Sequence, residues 1–233
     1  MSIENTVPKK NEIAFKWFND YSGVTIKTPT KTLVIDPVDV NAKTFTTVDG
    51  ILITHEHYDH LDSPLLKKIQ TRTNCQIFAD PTCIRRLSNS IPLEKLREMH
   101  PGTKIDIDNV NITAHTCNHP QATTPITFLI TSEDDVKIFH AADSMPFPEL
   151  RNIGSEYKPD LTFSPIGIAP GTTINSGIEI VKLLNPKVAV PYHTALKEDL
   201  IKFCRILRKE ASKVKCLVAK QDLAYIVGKE RKK

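Results

Sequence analysis

A short apolar segment that stops at a cluster of polar residues constrains the fold of this chain more than any other feature. Residues 50–54 (GILIT) have the length and composition of a buried strand, and residues 55–60 (HEHYDH) follow directly. Residues 62–64 (DSP) then supply an N-cap and a first-turn proline for a helix that runs through about Ile69. The polar cluster is therefore predicted to lie in the loop between a buried strand and a helix.

The cluster has the spacing His-x-His-x-Asp-His. Because alternate residues of an extended segment point the same way, His55 and His57 can converge on one ion, and the turn into the helix lets Asp59 and His60 face a second position. Imidazole and carboxylate ligands suit zinc, and also manganese or iron where oxygen ligands are more numerous. A polar surface loop is the alternative, but three histidines and an aspartate this close together favour a site for one or two divalent metal ions.

The rest of the chain reads as short strands alternating with helices, which is typical of an α/β fold. Strands are predicted at residues 13–18, 23–28, 32–35, 76–79, 104–107, 110–114, 127–131, 136–139, 161–163, 188–191, 214–218 and 224–227. Helices are predicted at residues 81–87, 93–99, 175–184 and 197–210. No shift in composition marks a linker, so residues 1–233 are expected to form one domain with a strand-rich core between helices.

Composition limits the location and the partners of the chain. It contains no apolar run of the roughly 18 residues that cross a bilayer, and its start has no signal-peptide pattern, so we expect a soluble cytoplasmic protein with no membrane contact. The net charge of +4 is modest and the basic cluster at residues 229–233 is terminal, so nucleic acid is an unlikely partner. Five scattered cysteines are expected to be reduced core thiols: Cys75, Cys83, Cys117, Cys204 and Cys216.

Four segments together resemble the metallo-beta-lactamase superfamily in order and spacing. They are residues 33–37 (LVIDP), residues 55–60, residues 138–144 (IFHAADS) with Asp143, and residues 188–194 (VAVPYHT) with His193. The resemblance implies a four-layer αββα sandwich and a metal-dependent hydrolase.

Within that superfamily the chain is similar to small metal-dependent hydrolases related to L-ascorbate-6-phosphate lactonase. The similarity rests on Trp17, on the segments IDP, HAAD and VPYHT, and on residues 165–167 (PIG). The chain departs from that group at residues 19–21, at residues 168–176, which lack an expected methionine, and at Ala142, where glycine usually precedes the aspartate.

The superfamily pattern includes one more histidine at a strand end, and residues 114–119 (AHTCNH) offer two. His115 directly ends the apolar alternation of residues 110–114 and has the spacing of the lactonase-like group, so it is the favoured ligand. His119 is then expected to be a pocket residue that donates a proton. The alternative, with His119 as the ligand, stays open at this point.

The resemblance implies one metal ion held by His55, His57 and His115, a second held by Asp59, His60 and His193, and Asp143 between them. Such a pair of zinc or manganese ions would activate a bridging water for attack on a carbonyl or phosphorus atom. Asp59 is expected to orient the resulting hydroxide, and His119 to protonate the leaving group.

Two further residues are expected to support the ligands. Asp36 is predicted to be a buried aspartate that hydrogen-bonds the histidine loop, and His140 to orient a ligand or to pack structurally.

The substrate expected from the resemblance is a small ester, either a lactone or a phosphorylated molecule. Backbone amides of residues 165–173 could bind a phosphate or carboxylate at the pocket mouth, although a plain connecting loop explains that segment equally well. A nuclease of the same superfamily and a non-hydrolytic metal or redox protein are the alternatives. Homo-oligomers are common among such proteins, but no stripe of residues in this sequence marks an interface.

Overall fold

The computed structural model describes residues 2–229, which fold into two mixed sheets flanked by helices. The strands are β1 (Glu12–Trp17), β2 (Val24–Lys27), β3 (Thr32–Ile35), β4 (Gly50–Ile53), β5 (Gln76–Ala79), β6 (Leu96–Glu98), β7 (Lys104–Ile107), β8 (Val110–Thr116), β9 (Ile126–Thr131), β10 (Lys137–His140), β11 (Leu161–Pro165), β12 (Val188–Tyr192), β13 (Lys215–Cys216) and β14 (Tyr225–Gly228). The helices are α1 (Ser63–Thr73), α2 (Pro81–Leu87), α3 (Leu150–Tyr157), α4 (Ile174–Leu184) and α5 (Lys197–Glu210).

Each sheet has seven strands, and each combines an antiparallel half with a parallel half. The first has the order β14-β1-β2-β3-β4-β5-β6, with parallel pairing from β3 to β6. The second has the order β13-β12-β11-β10-β9-β8-β7, with parallel pairing from β10 to β13. Parallel strands end at the same edge of a sheet, and the packing of the two sheets brings the loops that follow β3 and β4 close to those that follow β10 and β12.

Three apolar clusters define the layers. The largest lies between the two sheets, where Phe15 of β1 meets Phe163 of β11 edge to face with ring centroids 5.1 Å apart. A second cluster packs α1 and α2 on the outer face of the first sheet, and a third packs α3 and α4 on the outer face of the second. This arrangement confirms the predicted four-layer αββα sandwich.

Helix α1 begins where the sequence predicts. The Asp62 side chain accepts a hydrogen bond from the amide of Leu65, and Pro64 lies in the first turn. The helix continues to Thr73, beyond the predicted end, and stops where Asn74 adopts a left-handed conformation with φ 56°.

One prediction of secondary structure is wrong, and one helix was missed. Residues 93–99 form a 3-10 turn, Leu93–Lys95, followed by β6, because buried Leu96 pairs with Ile77 at the edge of the first sheet. Helix α3 was not predicted, because it has no side-chain N-cap and its length depends on packing against α4. At that contact Gly154 approaches the backbone of Leu184 so closely that a β-carbon would lie 2.5 Å from the carbonyl oxygen.

The cysteines do not all remain thiols. Cys75, Cys83 and Cys117 are buried and free, as expected. Cys204 of α5 and Cys216 of β13 form a disulfide with their Cα atoms 5.4 Å apart, which corrects the expectation of five reduced thiols. The pairing depends on the packing of α5 against β13, which the sequence spacing does not reveal.

Two other features of the described residues bear on earlier expectations. Across residues 2–229, no helix is both long enough and apolar enough to span a bilayer. Of the basic terminal cluster, Lys229 forms an ion pair with Asp135 at 2.6 Å, and residues 230–233 lie outside the described part of the chain.

Candidate metal centre

Side chains from both sheets converge at one edge of the sandwich. The first sheet contributes the loop between β4 and α1, and the second contributes residues that follow β8, β10 and β12. Two groups of ligand-type side chains form there, His55, His57, His119 and Asp143 in the first group and Asp59, His60, Asp143 and His193 in the second.

The first group surrounds Nδ1 of His57. Nε2 of His55 and Nε2 of His119 each lie 3.2 Å from that atom. Asp143 Oδ2 lies 3.7 Å from His55 Nε2 and 3.9 Å from His119 Nε2. Three imidazole nitrogens and one carboxylate oxygen therefore face a common point.

The second group is built in the same way. His60 Nε2 and His193 Nε2 lie 3.3 Å apart, and Asp143 Oδ1 lies 3.1 Å from the first and 3.0 Å from the second. Asp59 Oδ2 completes the group at 3.7 Å from each of the two nitrogens. The two oxygens of Asp143 thus face different groups.

These residues fit a pair of divalent metal ions. In each group the candidate ligand atoms all lie within 4.8 Å of one another, while donors around an ion with bonds of about 2.0–2.2 Å are separated by roughly 3.3–3.6 Å. Neither Asp143 oxygen accepts a hydrogen bond from residues 2–229, although the side chain is buried. A buried carboxylate without donors is costly unless a cation neutralises it.

Asp36 sets the tautomers of two histidines. Its Oδ2 accepts from Nδ1 of His60 at 2.8 Å and from the hydroxyl of Thr54 at 2.7 Å. Because the Thr54 hydroxyl donates to Asp36, its oxygen is free to accept from Nδ1 of His55 at 3.0 Å. Both rings then carry their proton on Nδ1 and direct the lone pair of Nε2 toward the metal groups. The predicted role of Asp36 is confirmed.

His57 uses the opposite nitrogen. Its Nε2 lies 3.3 Å from the carbonyl oxygen of Gln121, so a proton on Nε2 leaves the lone pair of Nδ1 directed toward the first group.

The charges of the buried groups are strongly coupled. Burial alone would raise the pKa of Asp143, but His60 and His193 hold it well below its ordinary value. Burial opposes the charged form of His60 as well, and Asp143 and Asp36 nevertheless raise its pKa well above the ordinary value. Burial, with His60 nearby, keeps the pKa of His55 well below its ordinary value. The pocket therefore stabilises positive charge beside Asp143.

His115 does not reach the metal groups. Its ring contacts Tyr157 of α3 and Phe139 of β10, with centroids 5.6 Å and 6.3 Å away. The reason is strand parity: Ala114 points into the core between the sheets, so His115 points to the helix-facing side. The preference for His115 over His119 is corrected by this geometry.

His119 lies beyond the end of β8 and enters the first group through Nε2. That nitrogen faces His57, and burial lowers the pKa of the ring. The role of His119 as a proton donor stays a prediction. The apolar residues at alternate positions of 110–114 face the core, so the sequence alone indicates that His115 faces the other side of the sheet.

His140 supports the site without joining it, as expected. The ring is buried, its Nε2 lies 3.0 Å from the carbonyl oxygen of Ser22, and the amide of Ala142 donates to its Nδ1 at 3.3 Å. Both ring nitrogens are satisfied only when the ring is neutral, and burial lowers the pKa of His140 to about 4.

Three residues at the centre adopt left-handed backbone conformations without being glycine. They are Asp36 with φ 45°, Ala142 with φ 50° and His193 with φ 60°. Such conformations are costly for residues with a β-carbon and are concentrated at functional sites. The value for Ala142 explains why glycine suits this position.

The loop that carries His119 is anchored by two carboxylates that the sequence did not reveal. Glu56 Oε1 accepts from the amide of Thr123 at 2.8 Å and from its hydroxyl at 2.6 Å, and Asp80 accepts from the hydroxyl of Thr124 at 2.5 Å. Burial alone would raise the pKa of Glu56, but the hydrogen bonds from Thr123 lower it. In the sequence Glu56 lies between His55 and His57. Only the fold shows that its side chain anchors the loop that carries His119.

The Pro- and Gly-rich segment, residues 165–173, braces His193. The amide of Ile166 donates to Tyr192 and the amide of Ile168 donates to the carbonyl of His193 at 2.9 Å. Thr173 caps α4. The amides of Ile166 and Ile168 are thus engaged within the chain, and anion binding by other amides of the segment stays a prediction.

Comparison with known proteins agrees with this arrangement. The sequence profile described as "Beta-lactamase superfamily domain" matches residues 22–194, which include both metal groups. The chain belongs to the metallo-beta-lactamase superfamily. Within the superfamily, a UPF0173 protein of Pyrococcus abyssi is 32% identical to this chain over 170 residues, 72% of this chain and 77% of that protein.

Two other proteins illustrate the range of similarity. A UPF0173 metal-dependent hydrolase of Sulfurisphaera tokodaii is 31% identical over 145 residues, 61% of this chain and 64% of that protein. The structure of Igni18, a metallo hydrolase of Ignicoccus hospitalis, aligns with a TM-score of 0.80 at 21% identity and covers 94% of this chain and 100% of that one. At that identity the structural match shows a shared fold.

Proposed function

We propose that this protein is a metal-dependent hydrolase that uses two divalent ions, zinc or manganese, to cleave a small ester, either a lactone or a phosphorylated molecule. The observation that carries the proposal is the pair of ligand groups that share Asp143, with one carboxylate oxygen facing each. The names of the relatives from Sulfurisphaera and Ignicoccus support hydrolysis and metal dependence.

Two ions held by these residues would supply Lewis acidity and an activated water nucleophile at neutral pH. Asp143 would join the two positions, and Asp36 would keep the imidazoles of His55 and His60 in the ligating tautomer. Asp59, whose Oδ2 faces the second group, would hold a proton during hydrolysis and return it to the leaving group.

The test is elemental analysis of the purified protein together with hydrolysis of a lactone panel and of a bis-aryl phosphodiester, each with and without chelator. We expect two metal ions per chain and chelator-sensitive cleavage of a lactone. The His57→Ala and Asp143→Ala variants should remain folded by circular dichroism and lose activity. Full activity in both metal-depleted variants would contradict the assignment.

The same assay separates the alternatives. Cleavage of the phosphodiester alone, with binding that weakens as salt rises, would favour a nuclease. Bound iron without hydrolysis of any ester would favour redox chemistry. Absence of bound metal, with no activity after zinc or manganese is added, would exclude the hydrolase.

A further inference from the structure

A cavity of about 390 Å³ lies next to the metal centre without including any of its ligands. Its size falls within the range of about 300–1,000 Å³ that is usual for small-molecule sites. The end of β1, the segment after β12, the start of α5 and the connection before β14 form its walls. The apolar part of the lining comes from Trp17, Ala195, Leu200, Val218 and Ala219.

Two structural links place this cavity beside the second metal group. Thr194, which lines the cavity, directly follows His193 in the chain. The indole Nε1 of Trp17 donates to the carbonyl of Tyr21 at 2.8 Å, and the Tyr21 ring packs on His193 with centroids 5.9 Å apart. One lining residue is thus the chain neighbour of a candidate metal ligand, and a second is linked to that ligand through Tyr21.

The rim of the cavity favours an anion. Lys197 and Lys220 are exposed lining residues, and among residues 2–229 neither forms an ion pair with a carboxylate. The lining also holds one carboxylate, Asp20, which accepts a hydrogen bond from the side-chain amide of Gln221 at 2.6 Å and keeps its charge, so the charged lining residues leave a net of one positive charge. Lys197 is the first residue of α5, and the two acidic residues in the same first turn, Glu198 and Asp199, do not line the cavity.

We propose that this cavity binds an apolar organic group that carries one anionic group, and that this group is the non-reacting part of the substrate. The apolar walls would hold the hydrocarbon, and the two lysines would hold a carboxylate at the rim. The second half of this proposal rests on the proposed hydrolase function, but binding to the cavity does not.

The chain provides its own reporter, because Trp17 is the only tryptophan and is 2% exposed. The experiment is a fluorescence titration of the full-length, metal-free protein with octanoate. Octanol and octylammonium serve as neutral and cationic probes of the same length. We expect saturable change in Trp17 emission with octanoate, a weaker response to octanol and none to octylammonium.

Variants then test the rim and the walls separately. Lys197→Gln and Lys220→Gln should each weaken octanoate binding about tenfold, the size expected for loss of one charge-assisted contact. Lys209→Gln, an exposed lysine of α5 that does not line the cavity, is the matched control and should bind octanoate as the unaltered protein does. Ala195→Phe, at an exposed position on the rim, should obstruct the cavity and weaken octanoate binding without disturbing the packing of the core.

The outcomes separate the cavity from the hydrolase. Equal responses to the three probes, or octanoate binding that is unchanged in both lysine variants, would overturn the cavity assignment. Charge-selective octanoate binding without hydrolysis of any ester would support the cavity and contradict the hydrolase. Hydrolysis of anionic esters with a higher KM and an unchanged kcat in the lysine variants would support both.

Discussion

At the scale of single residues, Asp36 organises the candidate ligands although it faces no metal position itself. Its carboxylate accepts a hydrogen bond from Nδ1 of His60 directly and orients His55 through the hydroxyl of Thr54. It also accepts from the amide of Thr54 at 2.8 Å, which fixes the start of the histidine loop. The sequence pattern predicted this contact, but the relay through Thr54 is visible only in the structure.

Replacing Asp36 should weaken metal binding more than it alters the ligand set. Asp36→Asn presents an amide where His60 and Thr54 need acceptors, so we expect zinc affinity to fall about 10- to 100-fold. Isothermal titration of the metal-free protein measures this change. Asp39→Asn, at an exposed position in the same loop, is the matched control. Equal zinc affinity in both variants would contradict the role assigned to Asp36.

Burial of the His140 ring should make the stability of the protein depend on pH. Because burial lowers the pKa of His140 from 6.5 to about 4, the unfolded chain binds a proton that the folded chain excludes. The free energy of unfolding is therefore unaffected by this group above pH 6.5. It decreases as the pH falls from 6.5 toward 4, by about 3 kcal/mol in total. Imidazole NMR of the metal-free protein should show a neutral His140 ring at pH 5. A titration midpoint near 6.5 would show that the ring is not held in this way.

At the scale of elements, the loop between β8 and β9 decides which histidine reaches the metal centre. The loop is tied to the first sheet through Glu56 and Thr123 and through Asp80 and Thr124, so residues from two sheets fix the position of His119. The strand before it fixes His115 on the opposite face. An anchored loop, not a strand terminus, thus completes the first ligand group.

Loss of the Glu56 anchor should affect the two metal positions unequally. In Glu56→Ala, His119 becomes less well positioned, so affinity at the first group should fall about tenfold or more while the second group keeps its affinity. A two-site zinc titration measures the split, and hydrogen exchange at the Thr123 amide should become faster. Thr123→Ala, which removes only the hydroxyl contact, should act in the same direction with a smaller effect.

Glu94→Ala, at an exposed position in a turn, is the control for loss of a glutamate. Equal weakening of both metal positions in Glu56→Ala would indicate a general disturbance of the histidine loop and would contradict a specific role in placing His119.

At the scale of the whole molecule, the candidate metal centre lies across the join between the two sheets. The loop after β4 belongs to the first sheet, whereas His119, Asp143 and His193 follow strands of the second. Bound ions would therefore connect the two halves of the sandwich in addition to any chemistry they support.

Metal binding should consequently stabilise the fold. At a free metal concentration about 100 times the dissociation constant, each ion that binds only to the folded protein should raise the free energy of unfolding by about 2.7 kcal/mol. Thermal unfolding with and without chelator measures the gain, and most of it should be absent in Asp143→Ala, which loses a ligand shared by both groups. An unfolding temperature that does not respond to chelator in the unaltered protein would exclude this coupling.

The sequence by itself determined the dense ligand loop after β4, the capped start of α1, the strands that lead to Asp143 and His193, and the α/β sandwich. The loop and the helix start follow from local periodicity, capping and spacing, which act over a few residues. The sandwich and the roles of Asp143 and His193 were implied by the resemblance of four segments to the superfamily. The alternation of residues 110–114 already argues against His115, but the tertiary structure alone decided that His119 joins the centre, that residues 96–98 form an edge strand, that α3 exists, and that Cys204 pairs with Cys216. Each of these depends on which distant segment packs against the residue, and neighbouring residues in the chain do not encode that contact.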